Sequence, residues 1–179
     1  MKKNILTILF LIATVVVFAQ NISCNFQQTK FIKASGKSFL SEGTLKFNKS
    51  SEKLEMNYSK PTGDYFVIDG KVMKLNVNGK KSVIDTEKNS TFRVQRNTLI
   101  NCITGNYKQA ATDNNADFTI SEKGSNKVVT LKAKKVATKG YAKIVITYRK
   151  SDDLPVELIL EEFNGTTTTY KMNNIEKNK

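Results

Sequence analysis

Apolar and polar residues alternate along most of this chain, and the alternation resolves into strands. From Gly43 to Lys71, Leu45 and Phe47 alternate with Thr44 and Lys46, and Leu54, Met56 and Tyr58 alternate with Glu55 and Asn57. Phe66 and Ile68 follow after Pro61-Thr62-Gly63. Side chains on a strand point to opposite faces with period two, so the pattern predicts a sheet with one apolar face and one polar, basic face. Asp69-Gly70 and Asn78-Gly79 are hairpin signals, because a two-residue turn favours φ > 0 at both central positions. They bracket Val72 to Val77, where Met73, Leu75 and Val77 share a face. A strand beginning near Phe39 opens the sheet, and Ser82 to Thr86 adds another. Four more carry Phe118/Ile120, Val129/Leu131/Ala133, Ile144/Ile146/Tyr148 and Val156/Leu158/Leu160. Asn164-Gly165 then turns the chain into a last strand with Tyr170 and Met172.

Two stretches break the alternation. Ser23 to Ala34 lacks Gly and Pro and reads as a short helix, with Ser23 near its N-cap and Gly36 ending it. Ser90 to Thr104 carries Leu99, Ile100 and Ile103 at helical spacing and is stopped by Gly105, which predicts a second helix holding Cys102. Ala110 to Asn115 reads as a polar loop, and residues 176–179 as a disordered tail. The sum is a mainly β (α+β) chain of about ten antiparallel strands with two helices. So many strands must curl, which predicts a half-closed barrel with helices over its concave side. Whether those helices fill the apolar face or cover it loosely stays open, because the strand pattern is the same for a packed core and for a cavity.

The first residues change the picture. Lys2 and Lys3 precede an uncharged apolar run from Ile5 to Phe18, and Val17-Phe18-Ala19 ends in a small residue. Residues 1–19 therefore read as a secretory signal peptide, too short for a comfortable membrane span, with one domain over 20–175. The formal charge of +13 falls to +11 without the two leading lysines (13 − 2). A solvated basic face accounts for it, and so does attraction to anionic membrane surfaces. Nucleic acid is not an expected partner, since an exported protein meets little of it and no basic stripe with interleaved aromatics occurs. The only two cysteines are Cys24 and Cys102. Asn21-Ile22-Ser23 lacks the aliphatic residue that a lipid-anchored Cys24 would have three positions earlier. In an oxidising compartment a Cys24–Cys102 disulfide is the expected pairing, stabilising by roughly 4–5 kcal/mol over so long a loop. Two free buried thiols are the alternative.

Candidate chemistry is sparse. The chain has no histidine, which removes Ser-His-Asp and Cys-His arrangements and the commonest metal ligand. Two cysteines without histidine cannot make a structural zinc site. Asp113-Asn114-Asn115-Ala116-Asp117 starts like a calcium loop, but Phe118 and Gly124 stand where that loop needs Gly and Glu. Asp152-Asp153 and Glu161-Glu162 are adjacent pairs and project to opposite sides of a strand. The expectation is a protein that is not an enzyme and uses no cofactor. What remains as a candidate binding site is the apolar face. On the strands it comprises Leu45, Phe47, Leu54, Met56, Tyr58, Phe66, Ile68, Met73 and Leu75, then Phe118, Leu131, Ile146, Tyr148 and Leu158. Phe26, Leu99 and Ile103 would face it from the helices.

One further pattern concerns the order of short motifs. Phe26-Gln27-Gln28-Thr29-Lys30 has the form F-x-Q-x-K, followed by Gly43-Thr44-Leu45-Lys46-Phe47, Lys53-Leu54 leading to Tyr58, Pro61, and Val67-Ile68-Asp69-Gly70-Lys71. Asn101 to Gly105, Asp117-Phe118 and Glu162-Phe163-Asn164-Gly165 with Thr168 continue it. In this order the motifs resemble those of LolA-type periplasmic lipoprotein carriers, from about Phe26 to Ile175. The resemblance implies an unclosed antiparallel barrel with an α-helical lid over a hydrophobic cavity. It implies a monomeric carrier that takes acylated lipoproteins or lipids from an inner-membrane release complex to an outer-membrane acceptor, without covalent chemistry. Ser50 and Ser51 stand where the family commonly has a basic residue and a proline that matter for hand-over, with Lys49 just before them. The cysteine pair would tie the first helix to the central one. A sensor domain on the same scaffold and an envelope structural protein with a filled core are the competing readings.

Overall fold

The computed structural model describes residues 21–178; the expected signal peptide lies outside them. Eleven antiparallel strands form one sheet: β1 (Asn21–Ile32), β2 (Lys37–Asn48), β3 (Lys53–Lys60), β4 (Thr62–Asp69), β5 (Val72–Val77), β6 (Lys80–Asp85), β7 (Ala116–Lys123), β8 (Asn126–Ala133), β9 (Tyr141–Arg149), β10 (Pro155–Glu162) and β11 (Thr167–Asn178). Their spatial order is β6-β5-β4-β3-β2-β1-β11-β10-β9-β8-β7. Two helices, α1 (Ser90–Ile103) and α2 (Tyr107–Asp113), lie in the connection from β6 to β7. The two ends of that connection are the two edges of the sheet. The helices therefore span the mouth of an unclosed barrel and pack on its apolar side, as the alternation predicted.

Three expectations are corrected. Ser23 to Ala34 is not a helix: it is most of β1, hydrogen-bonded to β2 along its whole length and to β11 from Asn21 to Phe31. Ile22, Cys24 and Phe26 are buried and alternate with less buried residues, so period two was present in a segment that also has good helix formers. Pairing on both sides decides the outcome, because strand preference depends on neighbours more than on intrinsic propensity. The polar loop at 110–115 is largely α2, whose Ala110 and Ala111 are buried small residues. The side-chain amide of Asn114 caps this helix, donating to the Ala110 carbonyl (2.8 Å) and to Thr98 Oγ1 on α1 (2.7 Å). The expected tail is no tail up to Asn178, since β11 runs through Glu176 and Lys177 with Asn178 paired to Asn21.

Candidate functional site

The apolar face is built from two wings that meet at β1. On one wing Phe26, Leu45, Phe47, Leu54, Met56, Ile68 and Met73 are buried side by side across β1 to β5. Register explains the grouping: Leu45 pairs with Cys24 and Met56, Phe47 with Ile22 and Leu54, and Ile68 with Leu54 and Met73. Residues opposite one another on one face touch, so these rows form continuous apolar stripes. On the other wing Val129, Leu131, Ile144, Ile146, Tyr148, Leu158 and Leu160 form the same kind of rows across β8 to β10. From α1, Leu99, Cys102 and Ile103 close over them.

Nearly all the residues expected at the site are gathered here. Tyr58, Phe66 and Leu75 are half-buried at its margin. Phe118 is 38% exposed on edge strand β7, its ring stacked edgewise on Tyr107 of α2 at 5.5 Å. Phe26 contributes from a strand rather than a helix. Ile22, Cys24, Ala110 and Ala111 belong to the same cluster and were missed, the first two because β1 read as a helix and the last two because α2 read as a loop. Alternation at Ile22, Cys24 and Phe26 was the signal that could have found the first two.

Between the lid and the sheet these side chains pack against one another. The clefts among the described residues open at the rim. One, of about 300 Å3, lies along the N-terminal half of α1 and is lined by Ser90, Thr91, Val94, Gln95, Lys139, Gly140, Tyr141 and Glu162. Another of about 260 Å3 opens by the C-terminal end of α1, between Ile103, Ile22, Phe47, Leu154 and Lys49. Pockets of this size stand at the low end for drug-sized ligands. The apolar face is reached only where the lid, with the contacts of Leu99 and Ile103, is displaced.

Few polar contacts oppose such a displacement. The Tyr148 hydroxyl donates to the Cys102 carbonyl (2.8 Å), a buried bond between β9 and the end of α1. Burial raises the Tyr148 phenol well above its ordinary range, so it stays a donor. Tyr141, also raised by burial, meets Gln95 of α1. At the other end Arg96 donates to Thr86 Oγ1 (2.7 Å), whose own hydroxyl donates to the Lys71 carbonyl. Inside the barrel the Tyr58 hydroxyl donates to Gln28 Oε1 (2.8 Å), and Phe26 stacks edgewise on Tyr58 at 5.2 Å.

The expected Cys24–Cys102 disulfide is absent: both are free, buried thiols, Cys24 under the lid and Cys102 in it. Burial pushes Cys24 up to about 11 and Cys102 up to about 12, so neither carries the thiolate that reactivity requires. Ser50 and Ser51 fall in the β2–β3 turn, where both the backbone N–H and the hydroxyl of Ser51 donate to Asn48 Oδ1 (3.0 Å each). Among the described residues no helix is long and apolar enough to cross a membrane.

Comparison with known proteins completes the description. The LolA-superfamily protein of Nitrosomonas europaea superposes with a TM-score of 0.39 at 10% identity, covering 87% of this chain and 85% of that one. The lipoprotein LppX of Mycobacterium tuberculosis gives 0.42 at 9% identity, covering 86% and 85%. A DUF1329 family protein of Desulfovibrio piger gives 0.44 at 11%, covering 89% and 86%. None of these likenesses carries an assignment, and no curated protein matches the chain significantly in sequence. The family model for outer membrane lipoprotein carrier protein LolA matches residues 18–179. With its lidded, unclosed barrel and continuous apolar face, the chain belongs to the LolA family of outer membrane lipoprotein carrier proteins.

Proposed function

We propose that this protein is an exported, non-enzymatic carrier working in the periplasm. It holds the acyl chains of lipoproteins, or of related lipids, against the apolar face and moves them from an inner-membrane release complex to an outer-membrane acceptor. The observation that carries this reading is the placement of the helices. Among the described residues they are the helices that pack on the apolar face, they are threaded between the two free edges of the sheet, and few polar contacts hold them down. Displacing them breaks no strand pairing. Burying an acyl chain is favourable by about 0.8 kcal/mol per methylene, which offsets the apolar surface that the lid gives up.

A second reading has an observation of its own. The side chains of α1 and α2 fill the space under the lid, which suits an envelope structural protein with a permanent core. Native mass spectrometry of the purified protein with a synthetic diacylated lipopeptide separates the two. A one-to-one adduct that survives desalting supports the carrier. A bare protein mass at lipopeptide concentrations that saturate detergent micelles sinks the carrier and leaves the filled core.

A further inference from the structure

We propose that the β1–β2 hairpin docks this protein on the surface of an anionic phospholipid bilayer, a property beyond the carrying of acyl chains. β1 and β2 pair as far as Ile32 and Lys37, with the turn at residues 33–36. On the other side of β2, β3 leaves at the Glu42–Lys60 pair. Residues 37–41 of β2 therefore overhang the β3–β4 turn by about 16 Å at the rise of an extended strand. Every residue from Lys33 to Leu40 is exposed.

This overhang is apolar on both faces. Phe39 lies opposite Lys30, on the face that carries Phe26, whereas Leu40 opposite Thr29 and Phe31 opposite Ser38 lie on the other. Phe39 is 51% exposed, Leu40 67% and Phe31 38%. A strand pair covering a core needs one apolar face only, so the two-sided pattern is not explained by folding.

Charge points to the occupant. From Thr29 to Ser41 the chain carries Lys30, Lys33 and Lys37 and no carboxylate; the first is Glu42 at the hairpin base. Among the described residues none of these three lysines forms an ion pair. Several ion pairs cluster instead at the opposite strand ends, as in Lys74–Asp69, Lys88–Asp85, Arg149–Asp152 and Lys150–Glu122. A hairpin end that runs past β3 while β11 flanks it as far as Phe31, with apolar side chains on both faces and amines around it, matches the bilayer interface. There the side chains enter the boundary between headgroups and acyl chains while the amines reach phosphates. An acidic protein would satisfy the lysines but leave one apolar face wet.

The chain has no tryptophan, so Leu40→Trp creates a unique fluorescent reporter. With vesicles of equal parts phosphatidylglycerol and phosphatidylethanolamine, its emission should shift to the blue and be quenched by brominated acyl chains. Vesicles of phosphatidylcholine alone should leave it unchanged. Val83→Trp, on edge strand β6, should report no change with either. Substituting Lys30, Lys33 and Lys37 by Gln should weaken vesicle partition roughly a hundredfold, at about fivefold per lysine. Only exposed side chains change, so the thermal melts should match the parent. A reporter that keeps its aqueous emission, equal shifts at residues 40 and 83, or undiminished partition of the triple variant would overturn the proposal. So would a shift with polyglutamate and none with vesicles, which would assign the hairpin to an acidic protein. Vesicle docking without lipopeptide uptake fails the carrier reading alone; uptake without a reporter shift fails this one alone.

Discussion

Phe26 reaches across Gly43 to stack on Tyr58 because Gly43 presents no side chain. A Cβ there would stand 3.0 Å from the Phe26 ring and collide with the Asn57 carbonyl oxygen, where β2 and β3 slip by one residue. Gly43→Ala must push backbone aside and is expected to lower stability by about 1–3 kcal/mol, read as a lower urea midpoint; an unchanged midpoint would remove Gly43 from the packing argument. The buried thiols make a prediction of another kind. Cys24 and Cys102 are raised from 9.0 to about 11 and about 12, and Tyr58 from 10.0 to about 12, chiefly by burial. Below the unfolded values both states hold these protons, so their contribution is fully present. Above them the unfolded chain ionises first, and stability is lost as pH rises from about 9 towards the folded values. Urea midpoints measured from neutral to alkaline pH should be flat and then fall, with a smaller fall in Cys24→Ser; an equal fall in that variant would count against a buried, unionised Cys24. At this scale the sequence was informative where a residue's own periodicity showed its environment, as at Leu45 or Ile146. It led to the wrong expectation for the cysteines, a disulfide where both thiols are free, because pairing depends on geometry between β1 and α1 that neither segment encodes alone.

The lid is the element on which the proposed carrier function turns. α1 was legible from Leu99, Ile100 and Ile103 and from Gly105 after it, and Asn89 adds the side-chain cap at its start, accepting from the backbone N–H of Thr91 and Phe92. α2 was not, because its burial rests on two alanines among polar residues and its stability on Asn114 bridging to Thr98, a contact sixteen residues away. β1 was mistaken because a central strand gains its stability from β2 and β11, and β11 lies at the far end of the chain. Leu99 is 7% exposed beneath α1. Leu99→Asp places a charge on the apolar face, which costs several kcal/mol unless the helix lifts away. The expected result is a retained strand spectrum, loss of amide protection confined to α1 and α2, and loss of lipopeptide uptake. Hydrogen exchange that instead speeds up equally in the strands would show that lid and sheet form one cooperative core.

At the scale of the whole molecule, the unclosed sheet follows from its edges. β6 carries Lys80 and Lys81 and β7 carries Asp117, Glu122 and Lys123, charges that discourage edge-to-edge pairing. The joint in the middle has a different consequence. β1 is the seam between the wings, and its partner β11 is the last strand described, with Asn21 beside Asn178. Until β11 has been made and delivered, no strand pairing joins the second wing to the first, and β1 has only one of its two strand neighbours. Removal of residues 167–179 is expected to leave a chain without a cooperative melt, whereas a melt like that of the parent would show that the wings fold independently. A polypeptide threaded outward N-terminus first would thus arrive as an open chain and find its shape in one late step, when its two ends meet.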